Sequence, residues 1–174
     1  MSGEPQLRLR PTMLSDLDFV LSVERDAANL PFITPWERPQ HEGAVRFPDF
    51  RHFIVEAGGG TQAAGFVILQ GCRSQHRSVE LKRIVLQTKG QGLGRVCVRL
   101  LKRMAFRDLR AHRFWLDFKA HNDRARALYD SEGFAVEGTL REAVRVEGGY
   151  ESLVVMSILE GDYAARRAAG QELP

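Results

Sequence analysis

The residues best suited to chemistry fall in one stretch, Val85-Leu86-Gln87-Thr88-Lys89-Gly90-Gln91-Gly92-Leu93-Gly94-Arg95, where an apolar run breaks into three alternate glycines. Glycine lets the main chain take positive φ angles and bring its N–H groups close to a ligand, and a helix that follows adds its positive end. The stretch reads as strand, anion-binding loop and helix, a seat for phosphate. From Leu93 the apolar residues Val96, Cys97, Leu100, Leu101, Met104, Ala105 and Leu109 keep helical spacing, while Arg95, Arg99, Lys102, Arg103 and Arg107 make the other face basic. A short glycine pattern is weak support for any particular ligand, so a plain turn ahead of an amphipathic helix is the alternative. A nucleotide-binding loop ends in Gly-Lys-Ser/Thr, and this chain has Leu93-Gly94-Arg95 there, which argues against that class.

The other reactive residue types are less organised. His76, His112 and His121 fit no common metal-ligand spacing and read as surface or capping residues, so no metal is expected; His121, beside Asn122, is placed to line a cleft. Cys72 and Cys97 have no paired spacing, so neither a disulfide framework nor a zinc site is suggested, and Cys97 reads as a small core residue. A net charge of +3 suits an anionic ligand, but Lys and Arg are mixed with 22 acids, so no nucleic-acid partner is expected. The N-terminus has no apolar signal core, and no run approaches the ~20 apolar residues of a membrane span. The expectation is a cytoplasmic protein with no membrane partner, folded as one domain over 1–174 with a mobile or briefly helical tail over 160–174.

These residues need a frame. Residues 6–10 alternate as a strand that Pro11 ends, and a helix is expected over 15–28. The segment from Asn29 to Pro39 holds three prolines and cannot be a regular helix. It displays Phe32, Trp36 and Glu37, which either wall a substrate pocket or belong to a stiffened connection with a packed Trp. A short helix over 39–46 and strands over 50–57 and 62–70 follow, the two strands joined by Gly58-Gly59-Gly60. The strand over 78–86 is expected to turn Val79, Leu81 and Arg83 one way and Glu80, Lys82 and Ile84 the other. Beyond the basic helix, the strand over 112–119 sends Phe114, Leu116 and Phe118 one way and Trp115, Asp117 and Lys119 the other. Asn122 opens a helix to Ser131, closed by Gly133, and strands over 134–141 and 150–159 end the pattern. The strand-helix-strand unit in the middle implies a parallel pair, so the fold class is α+β with a mixed sheet.

Order and spacing together resemble the GNAT superfamily of acetyl-CoA-dependent N-acetyltransferases. Lys89, Gly92 and Gly94 occupy the places of its pyrophosphate motif, with Lys where the family has Gln or Arg; Asn122, Ala125, Leu128, Tyr129, Gly133 and Phe134 match its second motif. Glu137-Gly-Thr-Leu-Arg-Glu, Gly149-Tyr and Ser152-Leu-Val-Val-Met-Ser look like the branch with ribosomal-protein N-terminal and spermidine acetyltransferases. The resemblance implies a mostly antiparallel sheet of about seven strands, a central parallel pair that splays apart, and about four flanking helices. It implies acetyl-CoA as co-substrate and direct acetyl transfer, in a ternary complex, to a primary amine, either a protein N-terminus or a small amine.

It also implies roles. Main-chain N–H groups of Gln91, Gly92, Leu93, Gly94 and Arg95 would hold the pyrophosphate, Val85, Leu86 and Gln87 would bond the pantetheine, and Lys89, Asn122 and Arg124 would complete the coenzyme contacts. Tyr129 would protonate the departing sulfur, unless it simply packs in the core. Glu80 would take the amine proton directly or through water, unless it is a strand residue paired with Lys82 or Arg83. Asp117 and Glu37 are rivals for an amine contact, and Trp36 would stand beside the acceptor. The hairpin over 141–150 would edge the acceptor site. A polyamine site should gather carboxylates, and the first loop offers mainly Glu37 and Glu42, a thin supply that slightly favours a peptide or small amine. The other outcomes to separate are a catalytically weak acyl-CoA-binding sensor and, at the level of assembly, a homodimer.

Overall fold

The computed structural model describes residues 6–60 and 62–174. Seven strands form, β1 Arg8–Pro11, β2 Arg51–Ala57, β3 Gln62–Gln70, β4 Ser78–Leu86, β5 Arg113–Lys119, β6 Ala135–Val146 and β7 Gly149–Leu159. They lie side by side in the order β1-β2-β3-β4-β5-β7-β6. Only β4 and β5 run parallel, and every other neighbouring pair is antiparallel. Five α-helices cover the sheet, α1 Leu17–Glu24, α2 Arg38–Arg46, α3 Leu93–Arg103, α4 Asp123–Ser131 and α5 Glu160–Ala168.

Each face has its own core, as two-layer burial requires. On one face α1 and α2 bury Leu17, Val20, Val23 and Ala44 against Ile54, Phe66, Ile68 and Val85. On the other, α3, α4 and α5 bury Cys97, Leu101, Ala105, Tyr129 and Tyr163 against Val67, Leu69, Phe114, Leu116 and Met156. Side chains of this size contribute about 1.5–3 kcal/mol each when fully buried.

Several boundaries differ from expectation. Strand β1 includes Pro11, tolerated because β1 is an edge strand and that position needs no outward N–H. Helix α1 stops at Glu24, four residues short, because the Asp26 side chain accepts from Ala28 N–H at 2.8 Å and its carbonyl accepts from Asn29 N–H at 2.8 Å. That local turn competes with helical bonding. The helix expected to run to Leu109 is α-helical only to Arg103 and continues as one π-helical turn, with Leu109 N–H bonding to Met104 O at 3.0 Å. Residues 160–174 hold α5 and a bonded end rather than a loose tail: Glu172 accepts from Arg166 and from buried Lys102. The helix count is therefore five, because Tyr163 is buried against Phe106 and gives α5 an apolar anchor.

Candidate active site

The parallel pair is short, and that opens the site. Strands β4 and β5 pair only at Ser78 with Arg113, Val79 with Phe114 and Glu80 with Trp115. Beyond Glu80, β4 stays with β3 as far as Leu86, and β5 stays with β7 as far as Lys119. The two strands therefore part, leaving an inner edge of each without a neighbouring strand. A cleft of about 840 Å³ fills this gap and joins the two faces of the sheet. A bare strand edge can bond an extended amide chain as an added strand would.

At one end of the cleft the main chain does the work. Gly90 and Gly92 have φ of +84° and +74°, and a Cβ on either would meet nothing within 4 Å. Conformation, not crowding, therefore requires glycine here, and the space in front of the loop is open. Gly92 caps α3, and Val96 N–H is bonded back to it at 3.2 Å. Leu93, Gly94 and Arg95 thus have N–H groups that precede the first helical bond and point out of the helix end. Lys89, Arg95 and Arg124 line this end as well. Burial first, then the neighbouring Arg124, holds the Lys89 ammonium below its usual pKa. Two oxygens of a diphosphate between these cations would relieve that repulsion, so the residues fit the coenzyme's pyrophosphate. Val85, Leu86 and Asn122 also line the cleft, and Asn122 caps α4 by accepting from Ala125 N–H at 3.1 Å. Gln87 and Gln91 are not among the lining residues, and Gln87 N–H is already bonded to Ala64 O at 2.8 Å.

At the other end side chains from distant elements meet. A β-bulge at Lys82 shifts the register of β4, with Leu81 opposite Leu69 but Arg83 opposite Ile68. The bulge overturns the expected alternation: Ile84 joins the face of Val79 and Leu81, and Arg83 turns to the α1–α2 face. There Arg83 bonds Glu24 and the Thr34 carbonyl and lies 5.2 Å from the centre of the Trp36 ring. Strand β5 alternates as expected, and Asp117 lines the cleft, near enough to Lys82 and Arg83 to feel their charge. Burial raises the Asp117 pKa above the ordinary carboxylate range despite Lys82 and Arg83 nearby.

Glu80 does not line the cleft. It lies behind Lys82, 3.3 Å from its ammonium, and burial raises its pKa. Trp36 does line the cleft, whereas Glu37 faces solvent, caps α2 and pairs with Arg25 at 3.0 Å. Val144 and Leu153, from β6 and β7, close the cleft from the hairpin side. His121 lies over Phe32 and 3.5 Å from Glu151, outside the lining. Among the described residues, no group of three or more His, Cys, Asp or Glu is placed to hold a metal ion.

Tyr129 rises from α4 into the same gap and is 5% exposed. Its ring sits 5.7 Å from Phe118 and 5.5 Å from Phe134. Burial, with Cys97 and Asp117 adding to it, drives its pKa well above the normal phenol value, so the hydroxyl holds its proton at neutral pH. The cleft thus offers an anion seat, a bare strand edge, a half-buried carboxylate and a protonated phenol in succession. The sequence reading had Lys82 and Arg83 only as alternative partners for Glu80, of which Lys82 is the one found, and gave the cleft neither Arg83 nor Glu24; a bulge leaves no trace in residue type.

The sequence profile of the acetyltransferase (GNAT) domain matches residues 6–135. The chain is similar to the spermidine N(1)-acetyltransferase of Escherichia coli (strain K12), 27% identical over 185 aligned positions, covering 99% of this chain and 97% of that protein. It is 29% identical to the spermidine N(1)-acetyltransferase of Vibrio cholerae serotype O1, covering 92% of this chain and 97% of that protein. In structure it resembles the Vibrio cholerae spermidine N-acetyltransferase solved in complex with CoA and spermine, with a TM-score of 0.81 and 26% identity over 91% of this chain and 98% of that one.

Proposed function

The chain belongs to the GNAT acetyltransferase family, and from that premise we propose that it moves an acetyl group from acetyl-CoA to the nitrogen of a primary amine. The observation that carries this is the splayed β4–β5 pair, with the glycine loop at one end of its cleft and Asp117 and Tyr129 inside it. The N–H groups of Leu93, Gly94 and Arg95, with Lys89 and Arg124, hold the diphosphate. The inner edge of β4 near Val85 and Leu86 bonds the pantetheine. When bound, the thioester supplies an electrophilic acyl carbon and a sulfur leaving group.

Asp117 takes the proton of the incoming ammonium and frees the nitrogen lone pair for attack on the acyl carbon. Its raised pKa makes it a stronger base than an exposed carboxylate. As the carbon–sulfur bond breaks, Tyr129 gives its proton to the sulfur; the second proton, shed by the nitrogen once it is bonded to the acyl carbon, restores the phenol, and the proton held by Asp117 passes to solvent as the amide leaves. Glu80 acts through Lys82, which it holds beside Asp117. A phenol kept protonated at the gap supports an enzyme over a coenzyme-binding sensor.

The Escherichia coli and Vibrio cholerae relatives bear the name of a polyamine, spermidine. Charge in this cleft supports a narrower acceptor. Six cations line it, Lys82, Arg83, Lys89, Arg95, Lys119 and Arg124, and one carboxylate, Asp117. The carboxylates just behind are paired: Glu24 with Arg83, Glu80 with Lys82, and Glu151 with Lys119 at 2.9 Å. A second or third ammonium would find no unpaired anion there. The acceptor is therefore a compound with one reacting amine, such as a peptide N-terminus or a small monoamine.

The test is thiol release and mass gain of one acetyl group, measured with acetyl-CoA against a panel of monoamines, N-terminal peptides, spermidine and spermine. Turnover with a monoamine or peptide is expected. Binding of coenzyme with no turnover on any amine would overturn the proposal.

A further inference from the structure

Beneath the acceptor wall lies a run of buried polar side chains that acetyl transfer leaves unused. Glu24, at the end of α1, is fully buried and receives three donors: Trp36 N–H at 3.1 Å, His41 Nε2 at 2.9 Å and the Arg83 guanidinium. His41 Nδ1 lies 3.1 Å from His52 Nε2, and His52 Nδ1 lies 2.8 Å from Thr12 Oγ1. All four side chains belong to residues at most 6% exposed.

With Glu24 ionised and both imidazoles neutral, one order of protons satisfies every contact. Thr12 O–H donates to His52 Nδ1, His52 Nε2–H donates to His41 Nδ1, and His41 Nε2–H donates to ionised Glu24. In that order each imidazole gives once and accepts once. Burial first, and repulsion from His41 whenever that ring carries charge, push His52 down to about 3, so His52 stays uncharged at neutral pH. The run ends at buried Thr12 and meets neither solvent nor the gap, so it has no outlet for a proton from the reaction.

What it reaches is the wall of the cleft. Arg83, held by Glu24, donates to Thr34 O at 2.8 Å and lies over the Trp36 ring, while Glu24 itself holds the Trp36 main chain. The His41 ring stands 5.3 Å from that of Trp36. One buried carboxylate therefore ties α1, the 33–36 segment and the bulged strand together. Apolar packing could hold these elements near one another, but it would not fix one geometry as directional bonds to a buried charge do.

We propose that Glu24, His41, His52 and Thr12 form a positioning relay that sets the amine-acceptor wall through Arg83 and Trp36. None of the four touches the reacting atoms. The relay governs how well the amine is held, not how fast it reacts once held.

Two readouts test this, of which the kinetic one rests on the acetyl-transfer proposal and the spectroscopic one does not. H41L removes both ring nitrogens, and H41Q restores a donor toward Glu24. Expected for H41L is an amine KM raised about 10-fold, with kcat within about 2-fold and coenzyme affinity unchanged. H41Q should recover KM to within about 3-fold of wild type. In a W115F background Trp36 is the only tryptophan, and acrylamide quenching should rise in H41L and fall back in H41Q. T12V, at the far end, should move both readouts the same way and less, which keeps the test open if H41L folds poorly. Variants that lose thermal stability yet keep wild-type KM and quenching would overturn the relay. If wild type acetylates no amine, the functional proposal fails and quenching alone decides the relay.

Discussion

The two ends of the cleft are built by opposite means. At the end proposed for the diphosphate the outward-facing groups are mostly main-chain N–H groups, presented by Gly92 and the first turn of α3, within a few consecutive residues. At the acceptor end they are side chains: Trp36 before α2, Lys82 and Arg83 on β4, Asp117 on β5 and Val144 on β6. The first end is local and tolerates side-chain change wherever backbone geometry is kept. The second depends on the register of three strands and on the depth of each charge. Coenzyme binding should thus be robust and amine handling fragile, and variants can separate them.

The largest separation should come from Asp117. D117N should lower kcat/KM by about 100-fold or more, the usual contribution of a general base, and leave coenzyme affinity unchanged in calorimetry. A base must be ionised to act, so wild-type kcat/KM should rise with pH through an Asp117 pKa above the ordinary carboxylate range, and D117N should lack that limb. E80Q should cost no more than about 10-fold, because Glu80 acts through Lys82. An E80Q loss equal to that of D117N would reassign the base.

Y129F should come next, with kcat reduced about 10- to 100-fold, coenzyme binding kept and thiol release still measurable. Weaker coenzyme binding in Y129F would blur the division between the two ends.

The opposite variant is G92A. A residue with a Cβ held at φ +74° carries strain of about 1–2 kcal/mol. Coenzyme affinity should fall about 10-fold in calorimetry while the amine KM at saturating coenzyme holds. Nothing stands within 4 Å of the added Cβ, so the loss should reflect conformation rather than a clash.

The remaining effect is on stability below the acceptor wall and leaves turnover at neutral pH untouched. His52 is held down at about 3 against 6.5 when exposed. The unfolded chain therefore takes up a proton below about pH 6.5 that the folded chain refuses until about pH 3, and stability is lost as pH falls across that window. The slope from this residue is about 1.4 kcal/mol per pH unit at its steepest. Chemical denaturation between pH 7 and 4 should show it, and H52Q should flatten it; an unchanged slope would mean that His52 is not the group responsible.

The division between the two ends also marks how far the amino-acid sequence can be read. Glycines at 90, 92 and 94, the cap at Asn122 and the basic helix after the loop are local patterns, and α3, α4 and the parallel crossover were legible from them. The alternation of β5 placed Asp117 on the face opposite Phe114, Leu116 and Phe118, as found. Strand β4 misled because one extra residue at Lys82 reverses every side chain beyond it, and bulges carry no composition of their own. Helix α1 ended early for a reason that was present in the sequence, the Asp26 turn, and was outweighed there by apolar spacing.

The sequence by itself determined the family, the layout of strands and helices and the open glycine loop proposed to seat the coenzyme, because each depends on residues near one another in the chain. Only the tertiary structure decided which carboxylate enters the gap, where Arg83 points and that Glu24, His41 and His52 lie beneath it. Those outcomes turn on pairing between residues up to 59 positions apart, as for Arg83 and Glu24. Burial of a charge is a property of the assembled layers, and no stretch of sequence contains it.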